Sequence, residues 1–258
     1  MPTKMIVKPI RTKILKPPQD DLLAIIKQSL KKIPERSVLV IASKVVSIWE
    51  GRCIKKSAID KQRLIEQEAD MFLRWIYPRH LRATHTVKNH LLIRSAGIDE
   101  SNANGFYILW PLNAYLSAQK IYSWIKKEYR AKNFGVIIVD SHSIPLRRGT
   151  FGISLGYFGF NPIFDYRGKK DLFGKKFRFT QNNIVDGLAA AAKLVMGEGQ
   201  EKTPLCLISG LNFVQFGNKV LKSRKRYSSL EVPFDEDIFF PLIKRLPWKR
   251  GIPKKRLS

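Results

Sequence analysis

Residues 135–139, Gly-Val-Ile-Ile-Val, are a continuous apolar run that reads as a buried strand. The residues after it change character at once: Asp140-Ser141-His142-Ser143-Ile144-Pro145-Leu146-Arg147-Arg148-Gly149-Thr150. Such a strand delivers a carboxylate, serine hydroxyls and two guanidinium groups to one rim. A carboxylate beside a hydroxyl is a hard-oxygen site suited to Mg²⁺ or Mn²⁺. Paired arginines suit bidentate recognition of phosphate or carboxylate. The run points to metal-assisted chemistry on a phosphorylated or acidic ligand.

Other segments supply partners for that strand. Val38 to Ala42 is all apolar, as in a strand covered on both faces, and Leu205 to Ile208 is a further strand candidate. Met5 to Leu15 reads as a strand and Pro17-Pro18 breaks it. Asp20-Asp21 then marks the start of a helix through Leu22, Ile26 and Leu30. Val45 to Trp49 reads as a second extended piece, and residues 60–76 as an amphipathic helical segment. Leu91 to Ser95 is a strand leading into the oxygen-rich loop Ala96 to Asn102. Ala114 to Tyr129 is a helix, and Gly149 to Phe160 a strand in which Gly permits close backbone approach. Asp165 to Gly174 is a charged loop. Asn182 to Met196 is a helix with an Ala run, broken by Gly197. Phe216 to Ser229 is a basic loop, Asp235 to Leu246 a short helix, and the chain from Trp248 a frayed basic tail. Strands and helices mix without a regular period or repeat. The expected fold class is therefore α+β (mixed α/β).

Lys and Arg number 47 against 21 Asp and Glu, which favours anionic partners such as nucleotides, nucleic acid or polyglutamylated molecules. Charge alone does not specify nucleic acid, which is not the expected partner. Cys53 and Cys206 are far apart in sequence, so they read as reduced core residues rather than a disulfide framework or zinc site. No apolar stretch approaches the roughly 20 residues that span a membrane, and the N-terminus lacks a signal-peptide core. A soluble cytoplasmic protein is expected.

Three acidic residues stand out because each follows a strand or ends a helix: Asp99, Asp140 and Glu198. They read either as exposed turn carboxylates or as oxygen ligands of one or two divalent ions, and their spacing does not decide between these. Met196-Gly197-Glu198-Gly199-Gln200-Glu201-Lys202-Thr203 lets backbone N–H groups approach phosphate, although a helix C-terminus is the wrong dipole end for an anion. The loop 165–174 is either solvated with internal ion pairs or a lid over an anionic ligand. His80, His85 and His90 are spaced unlike a metal site, and Lys222 to Tyr227 reads as a solvated basic run.

Taken in order, Val38–Arg52, Ser95–Gly105, Asp140–Gly149, Asp165–Gly174 and Leu194–Gly199 resemble the coenzyme F420-0:L-glutamate ligase family. Asp237–Trp248 resembles the C-terminal segment of that family's bacterial folate-metabolism branch. His142-Ser143-Ile144-Pro145, unlike the His-Gly-Arg-Pro type of the deazaflavin enzymes, favours the same branch. The resemblance covers nearly the whole chain. It implies one domain over 1–250 with a basic tail over 251–258, a two-lobed fold with mixed sheets, and a homodimer.

The resemblance also implies a ligase that activates a cofactor carboxylate as an acyl phosphate and joins L-glutamate to it by an amide bond. GTP or ATP would be the co-substrate and Mg²⁺ or Mn²⁺ the cofactor. It places metal ligands at Asp99, Asp140, Ser141 and Glu198. Nucleotide contacts fall at Lys13, Ile14, Leu15, Ser43, Asn102 and the Met196–Thr203 loop, with Met196, Gly197, Gly199, Gln200 and Thr203. Ile48 stands where many archaeal members carry Lys, so Lys44 or Arg147 would replace that phosphate contact. Arg147 and Arg148 would hold phosphate or substrate carboxylates, and Lys169 and Lys170 would close over the product. The expected acceptor is a folate. The alternatives are the deazaflavin cofactor, or a non-catalytic basic relative that binds RNA.

Overall fold

The computed structural model describes residues 4–76, 82–217 and 230–253. The chain begins with β1 (Ile6–Ile10), shorter than the extended stretch expected over 5–15. Helix α1 (Leu22–Ser29) starts at the paired aspartates: Asp21 Oδ1 accepts from Leu23 N at 3.0 Å and Ala24 N at 3.1 Å. Strand β2 (Ser37–Ala42) follows, with Val38 to Ile41 fully buried.

Val45 to Trp49 departs from expectation. Instead of continuing as a strand, Ser43–Trp49 forms helix α2. Its β-branched residues have weak helix propensity, but the turn buries Val45, Val46 and Ile48 in the core, and tertiary packing overrides propensity. Residues 60–76 depart as well. Helix α3 (Lys61–Glu68) stops at Ala69, and Met71–Ile76 becomes strand β4. Cys53–Lys55 forms the short strand β3 before it. Strand β5 (Arg82–Lys88), which the sequence reading missed, pairs with β4 and takes up the backbone groups of Met71 to Trp75. Thus His85 lies on a strand and His90 in the turn after it, while His80 lies outside the described residues.

Strands β6 (Leu91–Arg94) and β7 (Phe106–Ile108) lead to α4 (Ala114–Tyr129), which has the bounds the sequence predicts. Then come β8 (Phe134–His142), β9 (Phe151–Phe158), β10 (Ile163–Asp165), β11 (Gln181–Asn183), α5 (Ile184–Met196) and β12 (Leu205–Ser209). The expected C-terminal helix is the single turn α6 (Phe240–Ile243). The basic run at 222–227 lies outside the described residues. The expected fraying from Trp248 does not extend to Lys249–Arg250, which forms β13 against β4. Gly251 N and Ile252 N also donate to Asp70 O and Glu66 O.

One sheet has the order β1-β12-β2-β8-β9, and a second, β13-β4-β5-β6, is antiparallel. Within the first, β2 and β8 run parallel and the other neighbours antiparallel. Parallel strands need cover on both faces. Leu39, Ile41 and Ile138 pack with α1, α2 and α4. Val38, Val40 and Ile137 pack with Leu188, Ala189 and Ala192 of α5. A smaller cluster joins Leu64, Ile65, Phe72 and Leu109. The fold is α+β with mixed sheets.

The N-terminus of α4 presses on β9 so closely that a Cβ at Gly156 would stand 2.5 Å from the Ala114 carbonyl carbon. Gly156→Ala is expected to lower stability by about 1–3 kcal/mol, read by urea denaturation; an unchanged midpoint would show that the contact gives way. Burial pushes the Cys206 thiol up to about 12 and the half-buried Cys53 thiol up to about 11. Both therefore stay protonated near pH 8. A thiol reagent should label neither in the folded chain and both in urea.

Candidate active site

Because β2 and β8 are parallel, with Ala42 opposite Val139, the chain leaves both strands at the same edge of the sheet. Ser43 and Lys44 begin α2 there, and Asp140 and Ser141 end β8. A crevice beyond the carboxyl ends of parallel strands is a recurrent ligand site. Asp140 is held by three donors: Ser141 N at 2.9 Å, the Trp110 indole N–H, and the Ser43 hydroxyl. Burial nevertheless pushes its carboxyl up to about 6, and the nearby Asp99 charge adds to the rise.

Asp99 follows a turn, Ser95–Gly97, whose three residues all have positive φ. Gly97 is required here, since a Cβ would stand 2.1 Å from the Trp110 indole. Asp99 Oδ2 meets Lys44 Nζ at 2.7 Å, and its Oδ1 accepts from Ser101 N at 2.7 Å and Ser101 Oγ at 2.8 Å. Burial tends to raise this carboxyl, but the Lys44 ammonium and the Ser101 donors outweigh it and hold it below its ordinary value.

Glu198 lies just past α5, where Gly197 turns the chain at φ 76°. It accepts from Ser141 Oγ at 2.8 Å and Thr150 Oγ1 at 3.4 Å, and pairs with Lys193 at 3.1 Å. Lys193 Nζ also donates to Gly197 O at 3.1 Å, so an ammonium meets the negative end of the helix and offsets the unfavourable dipole. Asn102 Nδ2 donates to Gly199 O at 3.3 Å and ties the Asp99 loop to this one. Thr203 Oγ1 donates to Met196 O at 2.6 Å, and Thr12 N to Lys202 O at 2.9 Å, which brings Lys13 alongside.

The crevice thus brings together Ser43, Lys44, Asp99, Asn102, Asp140, Ser141 and Glu198, drawn from four separate stretches of chain. Other expected contacts point elsewhere. Leu15 and Met196 are buried, so their side chains serve the core; only their backbones are available to a ligand. Ile14 and Gln200 are exposed. Ile48 is a core residue, whereas Lys44, one turn earlier, faces Asp99. Arg147 and Arg148 are exposed and form no ion pair among the described residues. Lys169 lies 3.9 Å from the Phe164 ring centroid, and Asp165 pairs with Arg167 at 2.6 Å. The 165–174 loop therefore has the internal contacts of a solvated loop. Among the described residues, no three His, Cys, Asp or Glu side chains gather closely enough to hold a metal ion by themselves. Of the expected metal ligands, Asp140, Ser141 and Glu198 are joined by hydrogen bonds, Asp99 lies near enough to Asp140 for its charge to be felt, and a lysine pairs with each of Asp99 and Glu198.

Trp110, Lys193, Ser101 and Thr150 were not identified from sequence. Trp110 is 3 % exposed, and a buried indole N–H needs an acceptor. That need was legible; its partner, 30 residues away, was not. The indole is also anchored from behind. Glu68 holds Arg52 at 3.0 Å and Lys88 at 2.8 Å; Arg52 Nε donates to Trp110 O at 3.2 Å, and Lys88 Nζ lies 5.5 Å from the ring centroid.

Fold and crevice together define an α+β protein with a polar site at the carboxyl ends of its parallel strands. Residues 9–210 match the sequence profile of the F420-0:gamma-glutamyl ligase family, and the chain belongs to that family. It is similar to the coenzyme F420:L-glutamate ligase of Methanocaldococcus jannaschii, 34% identical over 80% of this chain and 86% of the relative. The enzymes of the same name from Methanosarcina mazei (29%, covering 83% and 89%) and Methanopyrus kandleri (33%, covering 75% and 82%) are similar too. The chain is accordingly an amide-forming gamma-glutamyl ligase. These relatives are named for coenzyme F420, which fits the deazaflavin alternative better than the expected folate. Among the described residues no helix is long and apolar enough to cross a membrane.

Trp110→Phe keeps an aromatic ring but removes the pyrrole ring and, with it, the N–H that bonds Asp140. Stability is expected to fall by about 1–3 kcal/mol in urea denaturation, with a matching loss of ligase turnover. A variant with wild-type values in both would show that the bond positions nothing.

Proposed function

We propose that this ligase uses a nucleoside triphosphate to add L-glutamate, through an amide bond, to the carboxylate of a deazaflavin acceptor of the F420 type. The observation that carries this reading is the run of contacts Lys44–Asp99, Trp110–Asp140 and Ser141–Glu198 at the carboxyl ends of β2 and β8. It lies in a chain whose relatives are named for that coenzyme and for glutamate.

The chemistry needs an activated carboxyl, because oxide is a poor leaving group. The γ-phosphoryl group of GTP or ATP passes to an acceptor carboxylate oxygen, giving an acyl phosphate and a nucleoside diphosphate. The glutamate amine then attacks the acyl carbon; the C–N bond forms, the C–O bond breaks, phosphate leaves and the amine loses a proton. Mg²⁺ or Mn²⁺ would be held by Asp99, Asp140, Ser141 and Glu198. The fit is chemical: the donors are all hard oxygens, and two carboxylates lie near enough for one charge to raise the other. Magnesium sites commonly use one or two carboxylates and complete the shell with phosphate oxygens and water, which suits a site without three gathered carboxylates. When bound, such an ion neutralises charge developing on the transferred phosphoryl group.

The chain's own groups do the rest. Lys44 and Lys193 orient Asp99 and Glu198. Ser43, Asn102, the backbone of 196–203 and Lys13 border the nucleotide. Arg147 and Arg148 present guanidinium groups to phosphate or to the acceptor's carboxylates. The positive balance of the chain favours such anions. The working unit in this proposal is a homodimer.

The test is incubation with Mg²⁺ or Mn²⁺, GTP or ATP, glutamate, and either the deazaflavin precursor or a folate, read by mass spectrometry. One added glutamyl unit on the deazaflavin is expected, and Asp140→Asn should lower the rate by roughly 100-fold or more. Glutamylated folate without glutamylated deazaflavin would overturn the choice of acceptor, and no product from either would overturn both.

A further inference from the structure

Glu68 stands at the end of α3, outside the crevice, with its side chain 5 % exposed. A carboxylate is seldom buried unless it is paired. Glu68 is paired twice through one oxygen: Oε2 meets Arg52 Nη2 at 3.0 Å and Lys88 Nζ at 2.8 Å. The backbone around it is held as firmly. Ile252 N donates to Glu66 O at 2.9 Å and Gly251 N to Asp70 O at 3.0 Å, so the chain beyond β13 clamps residues on both sides of Glu68.

The two cations carry this fixed position to two different loops. Arg52 Nε donates to Trp110 O at 3.2 Å, and the Trp110 indole N–H bonds Asp140. Lys88 Nζ donates to Ala96 O at 3.3 Å, in the turn that precedes Asp99. Ala96 N donates to Thr86 Oγ1 at 2.9 Å, so β5 holds this residue of the turn by both its carbonyl and its N–H. Ile98 N then donates to Ser95 O at 3.0 Å and Asp99 follows. Turn and indole also pack on each other, since Gly97 lies against the Trp110 ring and Lys88 Nζ is 5.5 Å from its centroid.

One buried carboxylate thus stands behind both Trp110, which holds Asp140, and the turn that presents Asp99. Apolar residues of the same volume often stabilise a fold as well as a buried ion cluster does. What these charges supply here is a fixed geometry between two carboxylates of the crevice.

We propose that Glu68 is a positioning residue: acting through Arg52 and Lys88, it sets how Asp99 and Asp140 face each other and so the affinity of the crevice for a divalent ion. The assignment rests on the role proposed above for those two carboxylates as oxygen ligands. Groups that orient metal ligands from outside typically change metal affinity by roughly 10–100-fold when they are removed.

The test is Mn²⁺ binding to the full chain without nucleotide, glutamate or acceptor, read from the electron paramagnetic resonance signal of the free ion. Glu68→Gln keeps the size of the side chain and removes its charge. Arg52→Lys keeps the charge and removes the N–H donated to Trp110, and it decides the matter if Glu68→Gln does not fold. Each folded variant is expected to bind Mn²⁺ about tenfold more weakly. In turnover, the apparent affinity for the metal should fall more than kcat at saturating metal. A merely structural role would lower the folded fraction and leave the Mn²⁺ affinity of the folded molecules unchanged. Unchanged affinity in the folded variants overturns the role of Glu68 and leaves the ligand set standing. No Mn²⁺ binding to the unmodified chain overturns the ligand set and this role together.

Discussion

The parallel pairing of β2 with β8 is the constraint on which the rest of this molecule depends. Its register, Ser37 opposite Phe134 through Ala42 opposite Val139, ends both strands at one edge. Parallel strands are stable only when both faces are covered, which accounts for α1, α2 and α4 on one side and α5 on the other. The alternation of the strand does the remaining work. Asp140 follows Val136 and Ile138 toward the face carrying Trp110, whereas Ser141 follows Ile137 and Val139 toward α5 and Glu198. Two adjacent residues therefore reach two different loops. A register shift in the β8–β9 pairing at Ile138/Val139 lies just before them, a common feature beside functional sites.

Around that edge, carboxylates are held by cations and donors from distant parts of the chain. Glu68, nearly buried, holds Arg52 and Lys88, and these in turn fix the indole that bonds Asp140. Removing one partner from a buried charged group is far more damaging than the net worth of the pair suggests, so such a cluster resists partial change. Lys44 and Lys193 do the same for Asp99 and Glu198 nearer to solvent. The result is a polar crevice held in place by side chains rather than a preformed metal cage.

Much of this was legible locally. Helix α4 begins at Asn113, whose side chain accepts from Leu116 N, and ends where the amphipathic pattern ends. The buried strands were evident from short apolar runs. Asp99, Asp140 and Glu198 stood out by following a strand or a helix, but nothing in their spacing showed convergence. The misreadings share one cause. Val45, Val46 and Ile48 look like strand residues, yet they fold as helix α2 because that conformation buries them against β8 and α1. Residues 71–76 look like the continuation of α3, yet pairing with β5 and β13 makes them a strand. Each outcome was decided by a partner far away in the chain.

By itself, then, the sequence determined the α+β class, the buried strands, the helix start at Asp20-Asp21, the helix over Ala114 to Tyr129, the oxygen-rich chemistry of the rim after Val139, and the membership in a ligase family through motifs in order. All of these depend on neighbours a few residues apart or on ordered local patterns. Only the tertiary structure decided that Lys44 meets Asp99 across 55 positions, that Ser141 meets Glu198 across 57, and that Trp110 holds Asp140. Those contacts are set by how strands register and layers pack. Side-chain hydrogen bonds and charge pairs act over a few ångströms, and which residues come that close is settled only when the chain has folded.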